Sequence, residues 1–374
     1  MKAFLKKAIS ASLALFLSLY CLIGLGNNVS DDYREYKNVI LMIGDGMGVN
    51  TVSATRDTRG VELNLDKMPV YGRSDTRSFI LDYTDSAAGG SALSCGVRIW
   101  ANSVAIFPFY PFSLTKQKVP VSLTELAKAN GKSAGVVTTD KTSGATPASF
   151  SAHAIARKLE KTISEQQLES DLDLIWGCES ASISKEKCEE NGFAFVQTAT
   201  QLEALESSSR SFAQFDFDEM KNCTGKKDTP SIEQMTKKAI DLLDDNENGF
   251  FLMVEGACID KFSHKNNLEG ATMNLVEFDK AVGYAMDYAA KDGDTLVVVT
   301  ADHETGGIKY NGVTGEYYYT SEGHTTADVP LYVSARDAGF TDGAIVENRQ
   351  ISVQIARVMG YGKDQFPAVK GFTM

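Results

Sequence analysis

The chain has 374 residues, and its 37 Lys and Arg stand against 49 Asp and Glu, which gives a formal net charge of −12. This acidic balance argues against a general nucleic-acid binder, because such proteins carry a basic stripe for the phosphate backbone. A hydrophobic content of 43% and a charged content of 23% are typical of globular proteins, so wholesale disorder is excluded as well.

The first 26 residues have the layout of an export signal. Three lysines stand close to the start: Lys2, Lys6 and Lys7. An uncharged apolar run over 8–26 follows them, an order typical of a secretory signal. The run is also near the roughly 20 residues that cross a bilayer, and Cys21 is a candidate for lipid modification. We therefore predict a signal peptide or membrane anchor over 1–26, one domain over 27–374, and an exported protein that is periplasmic, secreted or anchored on the outer face.

Export permits disulfide bonds. Three cysteines in polar stretches are candidates for one disulfide, with the pairing left open: Cys178, Cys188 and Cys223. Cys95 and Cys258 lie in apolar segments, and we expect them to be buried thiols.

Short apolar runs, several of them rich in β-branched residues, recur along the chain and each ends in polar residues. They cover 38–43, 133–137, 250–254 and 295–299. Such runs are typical of strands that are buried on both faces of a parallel sheet. Helical patterns lie between them, at 123–129, 232–243 and 274–290. The alternation predicts an α/β fold, in which ligands bind at the carboxyl ends of the strands.

The stretch from 158 to 229 is more polar than its surroundings. We interpret it as a surface excursion with minor strands at 172–176 and 193–197. No internal repeat and no Pro-rich or Ser-rich linker divides the chain, which favours one domain.

A glycine-rich turn over 44–48 follows the first predicted strand and contains Asp45. The dinucleotide-binding fingerprint requires glycine at its first, third and sixth positions, and neither register of this turn satisfies it. An aspartate in the turn would also repel a pyrophosphate, whereas it suits a bound cation. A plain turn with an aspartate cap is the alternative.

Acids and histidines recur together at predicted strand ends and in loops: Glu255, Asp260, His264, Asp302, His303 and His324. Asp260 and His264 are four residues apart, so one helix face carries both of them. Taken alone, each pair could be a surface contact and the loop histidine could be merely exposed. Carboxylate with imidazole is a ligand set that suits Zn²⁺, and two such clusters indicate a two-metal site for phosphoryl displacement.

Ser86 would begin a helix of small and apolar residues over 86–95. A helix N-terminus offers free N–H groups to an anion, although a serine in this place is often an N-cap. No histidine stands near Ser86 in the sequence, but a metal ion can lower the pKa of the hydroxyl and make it a nucleophile.

Six segments in this order resemble the alkaline phosphatase family: NVILMIGDGMG, TDSAA, GATPASFSAHAIAR, VEGACIDKFSH, TADHETGG and EGHTTADVP. They extend from residue 38 to residue 330. The resemblance implies a three-layer α/β sandwich with a mostly parallel central sheet and hydrolysis of small-molecule phosphate monoesters by a catalytic domain over 27–374. The chain is short for the family, so we expect no large crown domain. The relatives also imply a homodimer as one state of the protein.

The resemblance further implies two zinc ions and one magnesium ion. Asp302 and His303 would hold the zinc that activates Ser86, the nucleophile that becomes phosphorylated. The other zinc, which binds the attacking water, would have three ligands: Asp260, His264 and His324.

The magnesium ion would be held by Thr146, Glu255 and Asp45, with Asp45 bridging to a zinc. Arg157 would clamp the phosphate through two N–H groups, a task that suits a planar guanidinium. Lys261 is expected to contact the phosphate indirectly, with a solvated surface lysine as the alternative.

Four features depart from the family pattern or lie outside its chemistry. Gly144 stands where better-known members carry an acid or histidine behind the magnesium, and this loss weakens metal affinity by about 10- to 100-fold. We attribute Gly89 and Gly90, in a predicted helix, to close packing. His153 is expected to be structural. The aromatic segment 106–112 would fill the core or a dimer interface, or form an apolar wall for lipid or aromatic phosphoesters.

Two other functions are alternatives for a chain of this kind. Phosphodiesterases of the superfamily usually carry threonine at the nucleophile, and sulfatases carry a modified Cys or Ser, whereas Ser86 with Arg157 favours monoesters. A non-catalytic exported protein that binds metal or phosphate would lack a ligand or the nucleophile, and this chain lacks none of them.

Overall fold

The computed structural model describes residues 29–79, 82–106, 117–180, 182–206, 209–223 and 225–372. The predicted export signal and most of the aromatic segment 106–112 lie outside these ranges. The strands, in chain order, are β1 Asn38–Gly44, β2 Val70–Asp75, β3 Gln117–Pro120, β4 Ser133–Lys141, β5 Leu174–Cys178, β6 Ala194–Val196, β7 Ser211–Phe215, β8 Phe250–Gly256, β9 Thr295–Thr300, β10 Glu304–Thr305, β11 Lys309–Asn311, β12 Glu316–Tyr318, β13 His324–Thr325, β14 Val329–Val333, β15 Ile345–Glu347 and β16 Val369–Phe372.

The helices, in chain order, are α1 Val49–Arg59, α2 Ser86–Cys95, α3 Leu123–Ala129, α4 Ala145–Ser151, α5 Glu160–Glu169, α6 Lys185–Glu190, α7 Ala199–Glu203, α8 Phe217–Lys221, α9 Ile232–Leu243, α10 Cys258–Ser263, α11 Leu268–Asp292 and α12 Asn348–Val358. A 3₁₀ helix covers Asn64–Lys67. Within the described ranges, no helix combines the length and the apolar character that a bilayer span requires.

Ten strands form the central sheet, in the order β15-β2-β14-β9-β1-β8-β4-β5-β7-β6. β14 pairs antiparallel with both of its neighbours, and the other pairings in this sheet are parallel. The remaining described strands form three small two-stranded sheets. The mostly parallel α/β sheet confirms the predicted fold class.

Alternate side chains of β1 enter two different hydrophobic cores. Val39, Leu41 and Ile43 pack in a core with α3 and α12, whereas Ile40 and Met42 pack in a core with α9 and α11. Both faces of the sheet are therefore covered by helices, which makes the three layers. Double burial also explains why this strand is continuously apolar in sequence.

The prediction of a surface excursion over 158–229 was wrong. β5, β7 and β6 of this stretch extend the central sheet, with β5 paired to β4 and β7 to β5. Trp176 and Phe212 are fully buried there. β5 and β6 match the minor strands predicted at 172–176 and 193–197. The sequence did not reveal β7 or the place of all three strands in the central sheet, because the apolar runs are short and acidic loops separate them.

The expected disulfide is absent from the described residues, where all five cysteines are free. The Cys178 Sγ donates to the carbonyl of Thr139, and the Cys223 Sγ lies 3.4 Å from Asn274 Oδ1. Burial raises the pKa of Cys188 to about 12, which keeps that thiol protonated. Cys95 and Cys258 are buried thiols, as predicted.

Candidate active site

Acidic side chains from three neighbouring strands meet at the carboxyl edge of the sheet. Ile43 of β1 pairs with Glu255 of β8 on one side and with Thr300 of β9 on the other. Asp45 follows β1 and Asp302 follows β9, so the three carboxylates lie at one level. All three residues are buried.

The turn after β1 approaches the helix α10 closely. Gly46 has φ +69°, and a Cβ on it would lie 2.8 Å from Asp260 Oδ1 and 2.9 Å from Thr305 Oγ1. Its N–H donates to Asp302 Oδ1 at 3.2 Å. The glycine therefore brings three acid-bearing segments together, at a backbone conformation that other residues rarely adopt.

We name Asp45, Asp302 and His303 the inner group. The His303 Nε2 lies 3.3 Å from Asp45 Oδ1 and 3.4 Å from Asp302 Oδ2. One ligand atom from each residue lies within 4.8 Å of the others. Burial, together with the charge of Asp302, raises the pKa of Asp45 well above its usual range. Burial lowers the pKa of His303 to about 3, and so its imidazole is neutral.

We name Asp260, His264 and His324 the outer group. The His264 Nδ1 donates to the carbonyl of Glu322 at 2.5 Å, and the His324 Nδ1 donates to the carbonyl of Thr84 at 2.8 Å. Because a carbonyl can only accept, both Nδ1 atoms carry a proton, and in a neutral imidazole this leaves the Nε2 atom bare. These two Nε2 atoms are 3.2 Å apart.

His303 connects the two groups. Its ring stacks on that of His324, with centroids 3.7 Å apart, and it also forms a compact cluster with Asp260 and His324. Thr305 donates its hydroxyl proton to Asp260 Oδ1 at 2.5 Å, and so its oxygen accepts from His303 Nδ1 at 3.2 Å. His303 therefore also presents a bare Nε2. The resemblance assigned His303 to one zinc with Asp302, whereas the geometry places it beside both groups.

Glu255 and Thr146 lie beside the inner group. The Thr146 hydroxyl is 3.4 Å from Asp302 Oδ2, and the Thr138 hydroxyl donates to Glu255 Oε2. Burial, followed by the charge of Asp140, raises the pKa of Glu255 to about 8. Oxygen ligands of this kind suit Mg²⁺.

Ser86 is the first residue of α2, and the side chain of Asp85 caps that helix by accepting from Ala88 N at 3.1 Å. The Ser86 hydroxyl is therefore not needed as a cap. It lies 3.1 Å from His303 Nε2, to which it donates. A Cβ on Gly89 would lie 2.5 Å from the carbonyl oxygen of Asp302, so this glycine lets α2 pack against the inner group.

Asp85 also fixes the position of Arg157. The Arg157 Nη1 donates to Asp85 Oδ2 at 3.0 Å, while Asp85 Oδ1 accepts from Asn102 N at 3.0 Å. Burial lowers the pKa of Arg157, but the neighbouring Asp85 more than offsets this, and the net shift is upward. Its charge is thus held close to Ser86. The sequence drew attention to Ser86 and Arg157 but not to Asp85.

Lys261 forms an ion pair with Asp140, with 2.9 Å between Nζ and Oδ2. Burial opposes the charge of Lys261, yet Asp140 raises the pKa of the ammonium group overall. A Cβ at Gly144 would lie 2.7 Å from the same carboxylate oxygen of Asp140. Asp140, which sequence reasoning missed, therefore occupies the space of a side chain at 144.

His153 lies apart from both groups. Its Nδ1 is 2.7 Å from the Ala105 carbonyl, and its Nε2 is 3.0 Å from Glu125 Oε1. Since both ring nitrogens have protein partners in a buried place, this histidine joins the loop at 105 to α3 and the segment after α4.

The two groups fit metal ions. The Asp45 Oδ1 atom is buried and accepts no hydrogen bond. Buried carboxylates repel one another, and bare imidazole nitrogens 3.2 Å apart do so too, unless a cation lies between them. Carboxylate and imidazole with carbonyl-anchored Nδ1 atoms is a common zinc ligand arrangement. Such a cluster at the carboxyl edge of a parallel sheet, beside a helix-terminal serine, defines the class of metal-dependent hydrolases.

Comparison with known proteins narrows that class. The alkaline phosphatase family profile matches residues 36–180 and 178–328. Alkaline phosphatase 4 of Bacillus subtilis is 33% identical over 347 residues, which cover 87% of this chain and 72% of that protein. The alkaline phosphatase of Escherichia coli is 32% identical over 349 residues, which cover 75% of this chain and 72% of that protein. The chain therefore belongs to the alkaline phosphatase family, whose members are metal-dependent, and it is a phosphomonoester hydrolase.

Solved structures of alkaline phosphatases have the same fold as this chain. The alkaline phosphatase of the Antarctic bacterium TAB5 superposes with a TM-score of 0.75 at 29% identity, covering 88% of this chain and 100% of that one. A variant of the TAB5 enzyme, 28% identical to this chain with a TM-score of 0.75 over the same shares, has Mg bound in its M3 site.

Proposed function

We propose that this protein is an exported alkaline phosphatase that hydrolyses small-molecule phosphate monoesters through a phosphoserine at Ser86. The observation that carries the proposal is the position of the Ser86 hydroxyl, which lies at a helix N-terminus against His303, where the inner and outer groups meet. The nucleophile therefore lies next to a helix end that can bind an anion and next to the candidate metal ligands. Export rests on the sequence of 1–26, and an N-terminal membrane anchor and a homodimer remain parts of the proposal.

The proposed ligands follow from the donor chemistry. We assign zinc to the inner group with Ser86, and a second zinc to the outer group. Magnesium is assigned to Asp45, Thr146 and Glu255, with the carboxylate of Asp140 standing in for the side chain that Gly144 lacks. When bound, these ions supply Lewis acidity that favours the serine alkoxide and neutralises charge at the phosphoryl group.

The chain's own residues perform the remaining tasks. Ser86 Oγ loses its proton to solvent and forms a bond to phosphorus while the ester P–O bond breaks, and the departing alkoxide takes a proton from solvent to leave as the alcohol. Arg157 donates two N–H groups to the phosphoryl oxygens in a position fixed by Asp85. Water then cleaves the Ser86–phosphate bond and releases inorganic phosphate. The helix end of α2 stabilises the dianion through its free N–H groups. Lys261, paired with Asp140, adds positive charge nearby.

Hydrolysis of p-nitrophenyl phosphate against pH tests this function on residues 27–374. The protein is first chelated and then supplied with zinc, or with zinc and magnesium, beside Ser86→Ala and the control Ser94→Ala, a buried serine of the same helix. We expect zinc-dependent turnover that falls at least about 10³-fold in Ser86→Ala and persists in the control. Folded, zinc-loaded protein without turnover would contradict the proposal and would favour a diester, a sulfate ester or a binding role.

A further inference from the structure

A groove of about 400 Å³ leads away from the outer group, and its walls carry four lysines: Lys141, Lys221, Lys261 and Lys265. Its acidic lining residues are Asp140 and Glu179, and so positive charges outnumber negative ones. This is unusual on a chain with a net charge of −12. A local basic surface on an acidic protein attracts anions to that place.

Three of the four groove lysines have carboxylate partners, and one of these pairs is exposed, with 3.4 Å between Lys141 Nζ and Glu160 Oε2. Lys261 is paired with Asp140, and Lys221 is 2.7 Å from Asp218, a residue that does not line the groove. Lys265 is exposed, and it forms no ion pair with any residue that the structure describes. An exposed ammonium without a carboxylate partner is available to a ligand.

Phe217 forms the apolar part of this groove. The Nζ atoms of Lys221 and Lys261 lie 5.2 Å and 5.7 Å from the centre of its ring. Cation–π contacts of this length hold the two ammonium groups over one surface. Both ammonium groups therefore lie close to the same aromatic ring of the groove.

The groove begins where a departing alcohol would leave the site. Contacts run outward from the Ser86 hydroxyl to His303, from His303 to His324 and from His324 to His264. The side chain of His264 is 40% exposed, and it lines the groove. An in-line displacement puts the leaving oxygen on the side opposite the attacking oxygen. The groove thus lies on the side of the outer group from which an alcohol would leave.

We infer that the lysine groove is a subsite for a second anionic group, so that the enzyme prefers phosphate monoesters whose alcohol carries another phosphate or a carboxylate. This inference rests on the proposed function, whose site it extends. Positive charge on Lys221 and Lys265 contributes attraction for the alcohol end of the substrate and leaves the chemistry at Ser86 unchanged.

The test compares butane-1,4-diol bisphosphate with butyl phosphate on the full chain loaded with zinc and magnesium. The variant is Lys221→Gln/Lys265→Gln, and the matched control is Lys161→Gln/Lys185→Gln, two exposed lysines on α5 and α6. We expect kcat/KM for the bisphosphate to fall about five- to tenfold in the variant, because two exposed ion pairs are lost. Butyl phosphate should change less than twofold, and the control should change neither substrate. Raising the salt concentration should weaken the wild-type preference.

A binding measurement tests the inference without requiring turnover. Calorimetry with butane-1,4-bisphosphonate and butylphosphonate should show a wild-type preference for the former that the variant loses. Equal binding of the two probes, or a preference that survives in the variant, would overturn the inference. Failure of the proposed function would differ, since butyl phosphate would then not be hydrolysed while the binding preference persisted.

Discussion

The inner and outer groups have the same kinds of ligand but very different surroundings. In the inner group Asp302 and His303 are fully buried and Asp45 is nearly so, whereas His264 in the outer group is 40% exposed. The inner carboxylates lie within a sheet edge whose backbone is fixed by strand pairing. Of the outer histidines, His264 directly follows the short helix α10 and His324 lies in the two-residue strand β13, and backbone carbonyls orient both rings.

This difference separates two tasks. A buried set of like charges is unfavourable without a cation, so an ion in the inner group would bind together with the folding of the sheet. In the outer group His264 is open to water and lines the lysine groove, whereas Asp260 is buried and the side chain of His324 is 14% exposed. Any substitution in the inner group should therefore abolish most of the activity. A substitution in the outer group should cause a smaller loss, and added zinc should restore activity.

The largest expected effect comes from matched substitutions in the two groups. His303→Gln should lower kcat/KM by at least about 10³-fold, with no recovery in excess zinc, because it removes a nitrogen shared by both clusters and the partner of Ser86. His264→Gln should lower it by about 10- to 100-fold, with recovery as zinc is raised. Turnover against zinc concentration measures both.

His153→Gln is the control, since this buried histidine has two protein partners outside the site. It should keep the zinc content of the wild type. Equal losses in His303→Gln and His264→Gln, with the same zinc response, would remove the distinction between the groups.

A smaller effect is expected at the phosphate clamp. Arg157→Ala should lower kcat/KM by about 10- to 100-fold, because charge-assisted hydrogen bonds to a phosphoryl group contribute about 1.5–3 kcal/mol. Asp85→Asn keeps the helix cap but weakens the hold on Arg157, so its loss should be smaller and mainly in KM. Steady-state kinetics with p-nitrophenyl phosphate separate the two parameters. An Arg157→Ala enzyme with unchanged kcat/KM would exclude the clamp.

A third prediction concerns Asp140 and Gly144, which share one space. Gly144→Asp alone should destabilise the protein by about 1–3 kcal/mol, since the new Cβ would overpack against Asp140. Asp140→Gly/Gly144→Asp should recover the part of that loss that the Asp140 carboxylate causes, while the contact of the new Cβ with the Lys141 carbonyl oxygen, 2.9 Å away, remains. Denaturant midpoints give the stabilities. If Gly144→Asp is as stable as the wild type, Asp140 does not fill the place of a side chain at 144.

A fourth prediction is a pH dependence of the metal-free protein. The pKa of Glu255 is raised from 4.5 to about 8, so between these values the folded state binds more protons than the unfolded state. The free energy of unfolding therefore falls as pH rises through this window. Thermal unfolding after chelation should show a lower Tm at pH 8 than at pH 5, and metal should reduce the difference. A Tm that rises over this range without metal would contradict it.

Much of the fold could be predicted from the sequence where local patterns are strong. The helices at 86–95, 123–129 and 232–243 have the predicted bounds. These bounds could be predicted because capping residues and apolar periodicity are local signals. β7 was missed, and β5 and β6 were predicted only as minor strands of a surface excursion, because short strands at a sheet edge depend on distant partners.

The site residues also differ in how well local sequence patterns reveal them. Motif resemblance proposed the ligands, and the structure brings those side chains together, although their roles stay proposals. Asp85, Asp140 and Thr305 were missed because their importance lies in contacts with residues far along the chain. Asp85 offers one local signal, an acid directly before a run of small helical residues, which is the pattern of an N-cap.

The most direct test of the central claim is to trap the enzyme during turnover. The full chain, loaded with zinc and magnesium, is mixed with a phosphate monoester, quenched in acid after milliseconds and digested for mass spectrometry. We predict a phosphoryl group on Ser86 that appears only with metal and is absent from Ser86→Ala. Metal-dependent turnover at full rate with Ser86 unmodified, or with Ser86→Ala fully active, would contradict it.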